Sequence, residues 1–175
     1  MNITFIPLAE FHFPLLLKWL ETPHVKAWWD RDISWTPALI SEKYTNYVKG
    51  YVLEAGITKA ISAYIICVNT APVGYIQIYN AHVFSRTTPL TGLPKKLGAF
   101  DMLIGEEAYL NRGIGSQALA QFLREQGNLY THIFADPECT NYAAIRAYEK
   151  AGFIRLSAQL GAEEVWMIRE QVKAF

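Results

Sequence analysis

The stretch Tyr109-Leu110-Asn111-Arg112-Gly113-Ile114-Gly115-Ser116 lies between an apolar, strand-like run and an amphipathic helix, and it carries the most information about the fold. Glycines at 113 and 115 let the backbone approach a ligand closely, and the helix start offers unpaired amides at a positive dipole end. This combination suits a pyrophosphate, and Arg112 adds a full positive charge beside it. The same glycines also fit a loop that only allows close packing, so the turn alone leaves both interpretations open.

A dinucleotide-binding fold is a competing interpretation of this turn. The pattern Gly113-x-Gly115-x-x-Ala118 satisfies the dinucleotide fingerprint, and Asp136 ends the next predicted strand about 20 residues later. However, the seven residues 106–112 separate the preceding strand from Gly113, whereas the fingerprint places its first glycine almost directly after the strand. The chain beyond Gly115 is also too short for the remaining strands of such a fold. The sequence therefore disfavours an NAD-linked reductase.

The rest of the chain alternates predicted strands and helices without a repeat or a linker, which indicates one domain over residues 1–175. Predicted strands cover 3–6, 60–68, 73–79, 99–104, 132–135, 154–156 and 165–168, and the second and third of these form a hairpin. Predicted helices cover 11–20, 37–49 (with Thr36 as N-cap), 113–126 and 141–151. Residues 81–98 are predicted as a long loop. This order predicts an α/β fold with a mixed central β-sheet and helices on both faces.

Composition and charge limit the function classes. Sixteen basic residues balance sixteen acidic ones, so the chain has no overall electrostatic signature of nucleic-acid or membrane binding. The longest apolar run, 61–68, is far shorter than the roughly 20 residues that span a bilayer, and the N-terminus lacks a signal-peptide pattern. Cys67, Cys139 and the scattered histidines lack metal-ligand spacing, so we expect no metal. We expect a protein of the reducing cytoplasm, as a monomer or a homodimer.

A second motif lies downstream, at Asn141-Tyr142-Ala143-Ala144-Ile145-Arg146-Ala147-Tyr148-Glu149-Lys150-Ala151-Gly152-Phe153. Together with 111–115 it resembles the GNAT superfamily of N-acetyltransferases, whose signatures are Gln/Arg-x-x-Gly-x-Gly/Ala and an Asn-x-x-Ala-x-x-x-Tyr-x-x-x-Gly-Phe helix. The resemblance covers residues 60–156 well and the N-terminal third loosely, and it implies the GNAT fold and acetyl-CoA as co-substrate. One position departs from the signature, because Leu110 stands where the family has Gln or Arg. Arg112 is the candidate to replace that contact.

Within the superfamily the chain is similar to aminoglycoside 6′-N-acetyltransferases. The features that carry this likeness are Trp28-Trp29, Phe100-Asp101, Asp136-Pro137 and the end of the second motif, 148–153. The likeness implies acetyl transfer to a primary amine of a small molecule. Two alternatives stay open: a GNAT enzyme for another amine (an amino acid, a siderophore precursor or a peptide), and a non-catalytic acyl-CoA-binding protein.

Acetyl transfer to an amine needs a free lone pair on nitrogen, a polarised thioester carbonyl and a proton for the departing thiolate. Asp101, in an apolar strand, is the candidate to take the ammonium proton directly or through water, or else a structural carboxylate bonded to backbone amides. Tyr148 matches the family tyrosine that approaches the CoA sulfur. Its ordinary pKa of about 10, against about 8.5 for a thiol, lets a neutral tyrosine protonate the thiolate. By spacing alone Tyr148 would be a core aromatic residue.

The resemblance also implies the remaining contacts to acetyl-CoA. A backbone amide near Leu103 is expected to polarise the carbonyl, and Asn141 to bond the pantetheine arm while also capping its helix. The pyrophosphate contacts are predicted at Arg112, Gly113, Ile114, Gly115 and Ser116.

For the acceptor, the predicted contacts are Trp28, Trp29, Asp101 and Asp136. The two tryptophans are adjacent, so on a helix they cannot both face the core, and one is expected to offer an aromatic face to a cationic amine. Asp136 is a possible partner for an ammonium group, as are Asp30 and Asp32, for which a solvated surface role is at least as good an interpretation.

The charge pattern of residues 55–100 favours a different acceptor. This span has no Asp or Glu but contains Lys59, Arg86, Lys95 and Lys96. Since three of these cations fall in the predicted loop 81–98, we expect weak or no turnover of polycationic aminoglycosides such as kanamycin. An acceptor with a single amine, with or without a carboxylate or phosphate, is expected to be better. The alternative is that acids elsewhere, namely Asp30, Asp32, Asp101 and Asp136, supply the negative charge that a polycation needs.

Overall fold

The structure is a computed structural model that describes residues 1–156 and 163–171. In chain order its elements are β1 (Ile3–Pro7), α1 (Phe13–Leu20), α2 (Pro23–Lys26), α3 (Pro37–Val48), β2 (Tyr51–Glu54), β3 (Ile57–Val68), β4 (Ala71–Asn80), β5 (Leu97–Ile104), α4 (Ile114–Gln126), β6 (His132–Ala135), α5 (Tyr142–Lys150), β7 (Ile154–Arg155) and β8 (Met167–Glu170).

The strands form a mixed sheet in the order β1-β3-β4-β5-β6-β8-β7, with β2 paired to β3. β5 and β6 are parallel, with Leu97 opposite His132, whereas the pairs β1–β3, β2–β3, β6–β8 and β7–β8 are antiparallel. The predicted α/β architecture with a mixed sheet is therefore confirmed.

The chain divides into two compact units. The first contains Met1–Gln77 and Asp101–Arg112, and the second contains Ile78–Phe100 and Gly113–Phe175. β4 and β5 contribute residues to both units, and each unit is described below by its own contacts. The sequence-based expectation that the chain is a single domain remains a prediction.

The core of the first unit lies where α1 and α3 pack together. Leu16, Trp19, Ile40 and Tyr44 are almost completely buried there. The α3 helix begins as predicted, since the Thr36 hydroxyl accepts a 3.3 Å hydrogen bond from the Leu39 amide and a proline follows the cap. This packing fixes α3, the helix that carries Lys43, Tyr44 and Tyr47.

The second unit is built around β5, β6 and the amphipathic α4. As predicted, α4 buries Ile114, Ala118, Leu119, Phe122 and Leu123. A smaller core cluster contains Leu97, Ala99 and Phe134 and extends into the loop 81–96 through Ala81 and Leu90. The loop is therefore anchored at its start and near its middle. It is two residues shorter than predicted, because β5 begins at Leu97.

Several predicted boundaries differ from the structure. The hairpin of β3 and β4 turns on two residues only, Asn69 and Thr70, whose φ angles of 47° and 73° match a tight type I′ turn. The strand predicted at 165–168 lies at Met167–Glu170, and the helix predicted from 11 begins at Phe13 after a short 3-10 turn. The short elements α2 and β2 were not predicted, because four residues show no usable periodicity.

Among residues 1–156 and 163–171, no helix has the length and apolar character that crossing a bilayer requires.

Candidate active site

Asp101 is partly buried in β5 and belongs to a short chain of hydrogen bonds within the first unit. The Gln77 amide donates from Nε2 to Oδ2 of Asp101 at 2.7 Å, and the Tyr75 hydroxyl donates to Oε1 of Gln77 at 2.6 Å. Tyr75 is fully buried and Gln77 is 7% exposed, so neither side chain has solvent as an alternative partner. The orientation of the Asp101 carboxylate is therefore fixed from inside the protein.

Aromatic side chains pack around this chain of hydrogen bonds. The Tyr75 ring lies edge-on to Trp29 at 6.0 Å and to Tyr44 at 5.9 Å, and Tyr44 lies 5.0 Å from Tyr47. Burial raises the pKa of Tyr47 to about 12, and the negative charges of Asp101 and Asp30 add to the increase. Burial also raises the pKa of Tyr44 and Tyr75. These phenols are neutral at physiological pH, and the Tyr75 hydroxyl is the one that donates to Gln77.

The two tryptophans point in different directions, as predicted, but they do not lie on a helix. They follow α2 in a turn, where Trp28 is 44% exposed and Trp29 packs on the core cluster of the first unit. Asp30, next in the chain, accepts a 3.1 Å hydrogen bond from Lys43, and Asp32 is exposed. Of the two tryptophans, Trp29 therefore belongs to the same network as Asp101.

Leu103 is buried in the same strand as Asp101, and the neighbouring strand approaches it closely. A Cβ atom at Gly74 would lie 2.3 Å from the Leu103 carbonyl oxygen, so only glycine fits at that position. Beyond the strand, the amides of Gly105 and Glu106 both donate to the Val73 carbonyl. The role predicted for a backbone amide near Leu103 stays a prediction.

The glycine turn starts α4 without a capping side chain. Gly113 is the N-cap residue with a φ of 73°, in the left-handed region, and Asn111 has a φ of 58°. The Ser116 hydroxyl donates back to the Gly113 carbonyl at 2.9 Å. The amides of Ile114, Gly115 and Ser116 therefore open a helix of 13 residues without a side-chain acceptor, which is the arrangement an anionic phosphate completes. Arg112, just before the turn, is exposed.

The helix α5 and its N-cap residue include two more of the residues predicted for the site. Asn141 caps it, since its Oδ1 accepts a 3.1 Å hydrogen bond from the Ala144 amide, so the structural role considered for this residue is confirmed. Tyr148 is partly buried, with its ring edge-on to Phe100 at 5.1 Å and 5.9 Å from Phe153. These contacts are made by the ring of Tyr148. A packing role of the ring is therefore compatible with a catalytic role of the hydroxyl.

Asp136 follows β6 and has a partner that the sequence did not indicate. Its carboxylate accepts a hydrogen bond from the Arg86 guanidinium, which also lies 5.0 Å from the centre of the Phe134 ring. The carboxylate predicted to meet an ammonium group of the acceptor is therefore paired within the protein. Lys59, another of the four cations counted in residues 55–100, is paired with Glu54.

The structure thus groups the predicted residues by unit. Asp101, Trp29 and Leu103 lie in the first unit, while Asn141, Tyr148, Asp136 and the turn 113–116 lie in the second. The sequence analysis missed Tyr44, Tyr47, Tyr75 and Gln77, and it counted Arg86 only as a loop cation without a partner. Gln77 could have been found, because it is the lone amide in the apolar run 73–79. Within the two described ranges, no three His, Cys, Asp or Glu side chains are placed to hold a metal ion.

Known proteins are similar to this chain in sequence and in fold. The chain is 28% identical over 158 residues to aminoglycoside N(6′)-acetyltransferase type 1 of Klebsiella pneumoniae, and equally to that of Serratia marcescens. In both cases the match covers 88% of this chain and 75% of the relative.

Solved structures of AAC(6′)-Ib are also similar. Its complex with ribostamycin and coenzyme A has a TM-score of 0.80 and 26% identity, covering 98% of this chain and 94% of that one. The complex with coenzyme A and kanamycin has a TM-score of 0.77 and 27% identity, covering 97% and 95% of the two chains. The sequence profile of the acetyltransferase (GNAT) domain matches residues 9–159. The chain belongs to the GNAT acetyltransferase family.

Proposed function

We propose that this enzyme transfers the acetyl group of acetyl-CoA to the 6′-amine of an aminoglycoside. The observation that carries the proposal is the setting of Asp101, a partly buried carboxylate oriented by Gln77 and packed among neutral tyrosines and Trp29. A cationic amine is attracted both by carboxylates and by aromatic faces. The similar enzymes described above support the acceptor, since they are aminoglycoside 6′-acetyltransferases, one of them solved with kanamycin and coenzyme A.

Asp101 takes the proton from the acceptor ammonium, directly or through a water molecule, and so frees the lone pair of the amine. Gln77 acts through Asp101, because its amide holds Oδ2 and keeps the carboxylate from rotating. Trp29 and the exposed Trp28 offer aromatic surface to the cationic acceptor.

Acetyl-CoA supplies the activated acetyl thioester. The amides of residues 114–116, with the left-handed Gly113 before them, bind the pyrophosphate, and Arg112 replaces the side-chain contact that Leu110 lacks. Asn141 uses its Nδ2 for the pantetheine arm while its Oδ1 caps α5. An amide near Leu103 orients the thioester carbonyl, and the Tyr148 hydroxyl gives its proton to the departing thiolate. Cys67 and Cys139 are free thiols, which supports a reducing cytoplasm as the compartment.

A second acceptor class, amines with a single positive charge, is supported by the pairing of Asp136 with Arg86. Each extra ammonium group of an aminoglycoside needs a carboxylate partner, and this one is occupied. Since Lys59 is also paired, only Lys95 and Lys96 of the four counted cations remain as exposed positive charge. The positive charge of the loop is therefore a weaker argument against aminoglycosides than the sequence indicated, and the support for singly charged amines rests on the occupied Asp136 alone.

The test uses two aminoglycosides that differ at one position. Neomycin has an amine at the 6′ carbon, and paromomycin has a hydroxyl there. We expect CoA release with acetyl-CoA and neomycin, little release with paromomycin, and at least a 100-fold loss of neomycin turnover in Asp101→Asn with acetyl-CoA binding unchanged. Equal turnover of both would refute 6′-transfer but not amine acetylation. No CoA release with any amine of a broad panel would refute the proposed function.

A further inference from the structure

Arg86 lies in a fixed segment of the second unit. The loop 81–96 is anchored by Leu90, which is 9% exposed, and by the ring of Phe84, 4.6 Å from that of Tyr79. The Arg86 side chain is itself 19% exposed, and its Nε atom is buried without a hydrogen-bond partner among the described residues. The guanidinium is thus held by one carboxylate and one aromatic face, with part of its donor capacity unused.

The partner of Arg86 belongs to an acidic group of side chains. Residues 137–139 pair with 163–165 through the backbone, with Glu138 opposite Glu164 and hydrogen bonds that join Pro137 to Val165 and Cys139 to Glu163. Burial raises the pKa of Glu164, the charges of Asp136, Glu163 and Glu138 raise it further, and Arg86 opposes them. Arg86 pairs with Asp136, and its charge partly offsets the effect of these carboxylates on Glu164.

This arrangement has the elements of a site for an ammonium group: a carboxylate and an aromatic face. We propose that Arg86 is a specificity-determining residue, because its guanidinium occupies at Asp136 the place of an acceptor ammonium that a polycationic acceptor must displace. The inference rests on the proposed function and deepens it. It predicts that the wild type binds polycationic aminoglycosides, but less tightly than a variant without the Arg86 guanidinium does.

The test compares Arg86→Gln with Lys95→Gln, an exposed residue of the same loop. Both substitutions remove one positive charge. If the net charge of the loop alone controlled kanamycin binding, both variants would therefore bind it more tightly. We expect Arg86→Gln to bind kanamycin about tenfold more tightly by calorimetry, since a hydrogen bond between charged groups contributes at least that factor. Lys95→Gln is expected to change the dissociation constant less than twofold, and Arg86→Lys to behave as the wild type.

Two further readouts locate the effect at Asp136. In the double variant Arg86→Gln/Asp136→Asn the tenfold gain should disappear. The ratio of kcat/KM for kanamycin to that for 6-amino-6-deoxyglucose, which has a single amine, should rise about tenfold in Arg86→Gln. Melting temperatures verify that each variant is folded.

The calorimetric result is independent of turnover, so it separates this inference from the proposed function. Tighter kanamycin binding in Arg86→Gln would support the inference even if the wild type acetylated another amine. Unchanged or weaker binding in folded Arg86→Gln, or an equal gain in Lys95→Gln, would overturn it. If Arg86→Gln does not fold, Arg86→Met, which also removes the charge but keeps an unbranched side chain, takes its place, and unchanged or weaker kanamycin binding in that variant would overturn the inference as well.

Discussion

Gln77 donates a 2.7 Å hydrogen bond from Nε2 to Oδ2 of Asp101, and the direction of this bond is dictated by its neighbours. An ionised carboxylate can only accept, so the amide must turn its NH₂ group towards Asp101. The carbonyl oxygen then faces the Tyr75 hydroxyl, which burial keeps protonated and able to donate. Tyr75 and Gln77 together act as a fixed support for the carboxylate.

The first prediction concerns this support. Gln77→Leu keeps a side chain of similar size but removes the donor to Asp101, so we expect kcat to fall about 10- to 100-fold. The KM for acetyl-CoA should change less than twofold, because Gln77 acts on the carboxylate only. Gln121→Leu on α4 is the matched control, since Gln121 bonds Glu125 on the helix surface. Wild-type kcat in folded Gln77→Leu would show that Asp101 needs no support.

The sequence could predict the residues whose role depends on local geometry. The glycine turn, the Asn141 cap and the amphipathic face of α4 are readable because each depends on neighbours within four residues. The Gln77–Asp101 and Arg86–Asp136 contacts join positions 24 and 50 residues apart, and only the strand and loop arrangement brings them together. Charge counting failed for the same reason, since it treated Arg86 and Lys59 as free cations.

The second prediction separates backbone strain from ligand binding at Gly113. Gly113 and Gly56 have similar φ angles, 73° and 77°, and an added Cβ would meet no atom within 3.4 Å at either position. Alanine at each should therefore lower the free energy of unfolding by about 1–2 kcal/mol. Only Gly113→Ala should also reduce the rise in melting temperature caused by acetyl-CoA, because Gly56 lies in the turn between β2 and β3. An equal acetyl-CoA shift in both would remove the turn from the cofactor site.

The third prediction isolates the hydroxyl of Tyr148. Tyr148→Phe keeps the ring contacts with Phe100 and Phe153, so the melting temperature should change little. We expect kcat to fall 10- to 100-fold with the KM for acetyl-CoA nearly constant, since the proton for the thiolate is needed only in the transition state. Tyr142→Phe, 65% exposed on the same helix, provides the control. If the two variants had the same kcat, Tyr148 would serve packing alone.

The last prediction follows from the buried tyrosines around Asp101. The pKa of Tyr47 is raised to about 12, because burial and the charges of Asp101 and Asp30 disfavour the phenolate. An unfolded tyrosine ionises near pH 10, so between pH 10 and 12 the folded state holds a proton that the unfolded state has lost. The free energy of unfolding must then fall as the pH rises, by up to about 1.4 kcal/mol per pH unit for this one group.

Tyr47→Phe removes this contribution, while Tyr44 and Tyr75 keep theirs, so the decline with pH should become shallower without disappearing. Urea unfolding at pH 9, 10 and 11 measures the slope, with Tyr142→Phe as the exposed control that should follow the wild type. Parallel slopes for Tyr47→Phe and the wild type would mean that Tyr47 ionises as easily in the folded protein as in the unfolded chain. Burial and the charges of Asp101 and Asp30 would then not hold the pKa of Tyr47 above that of a free tyrosine.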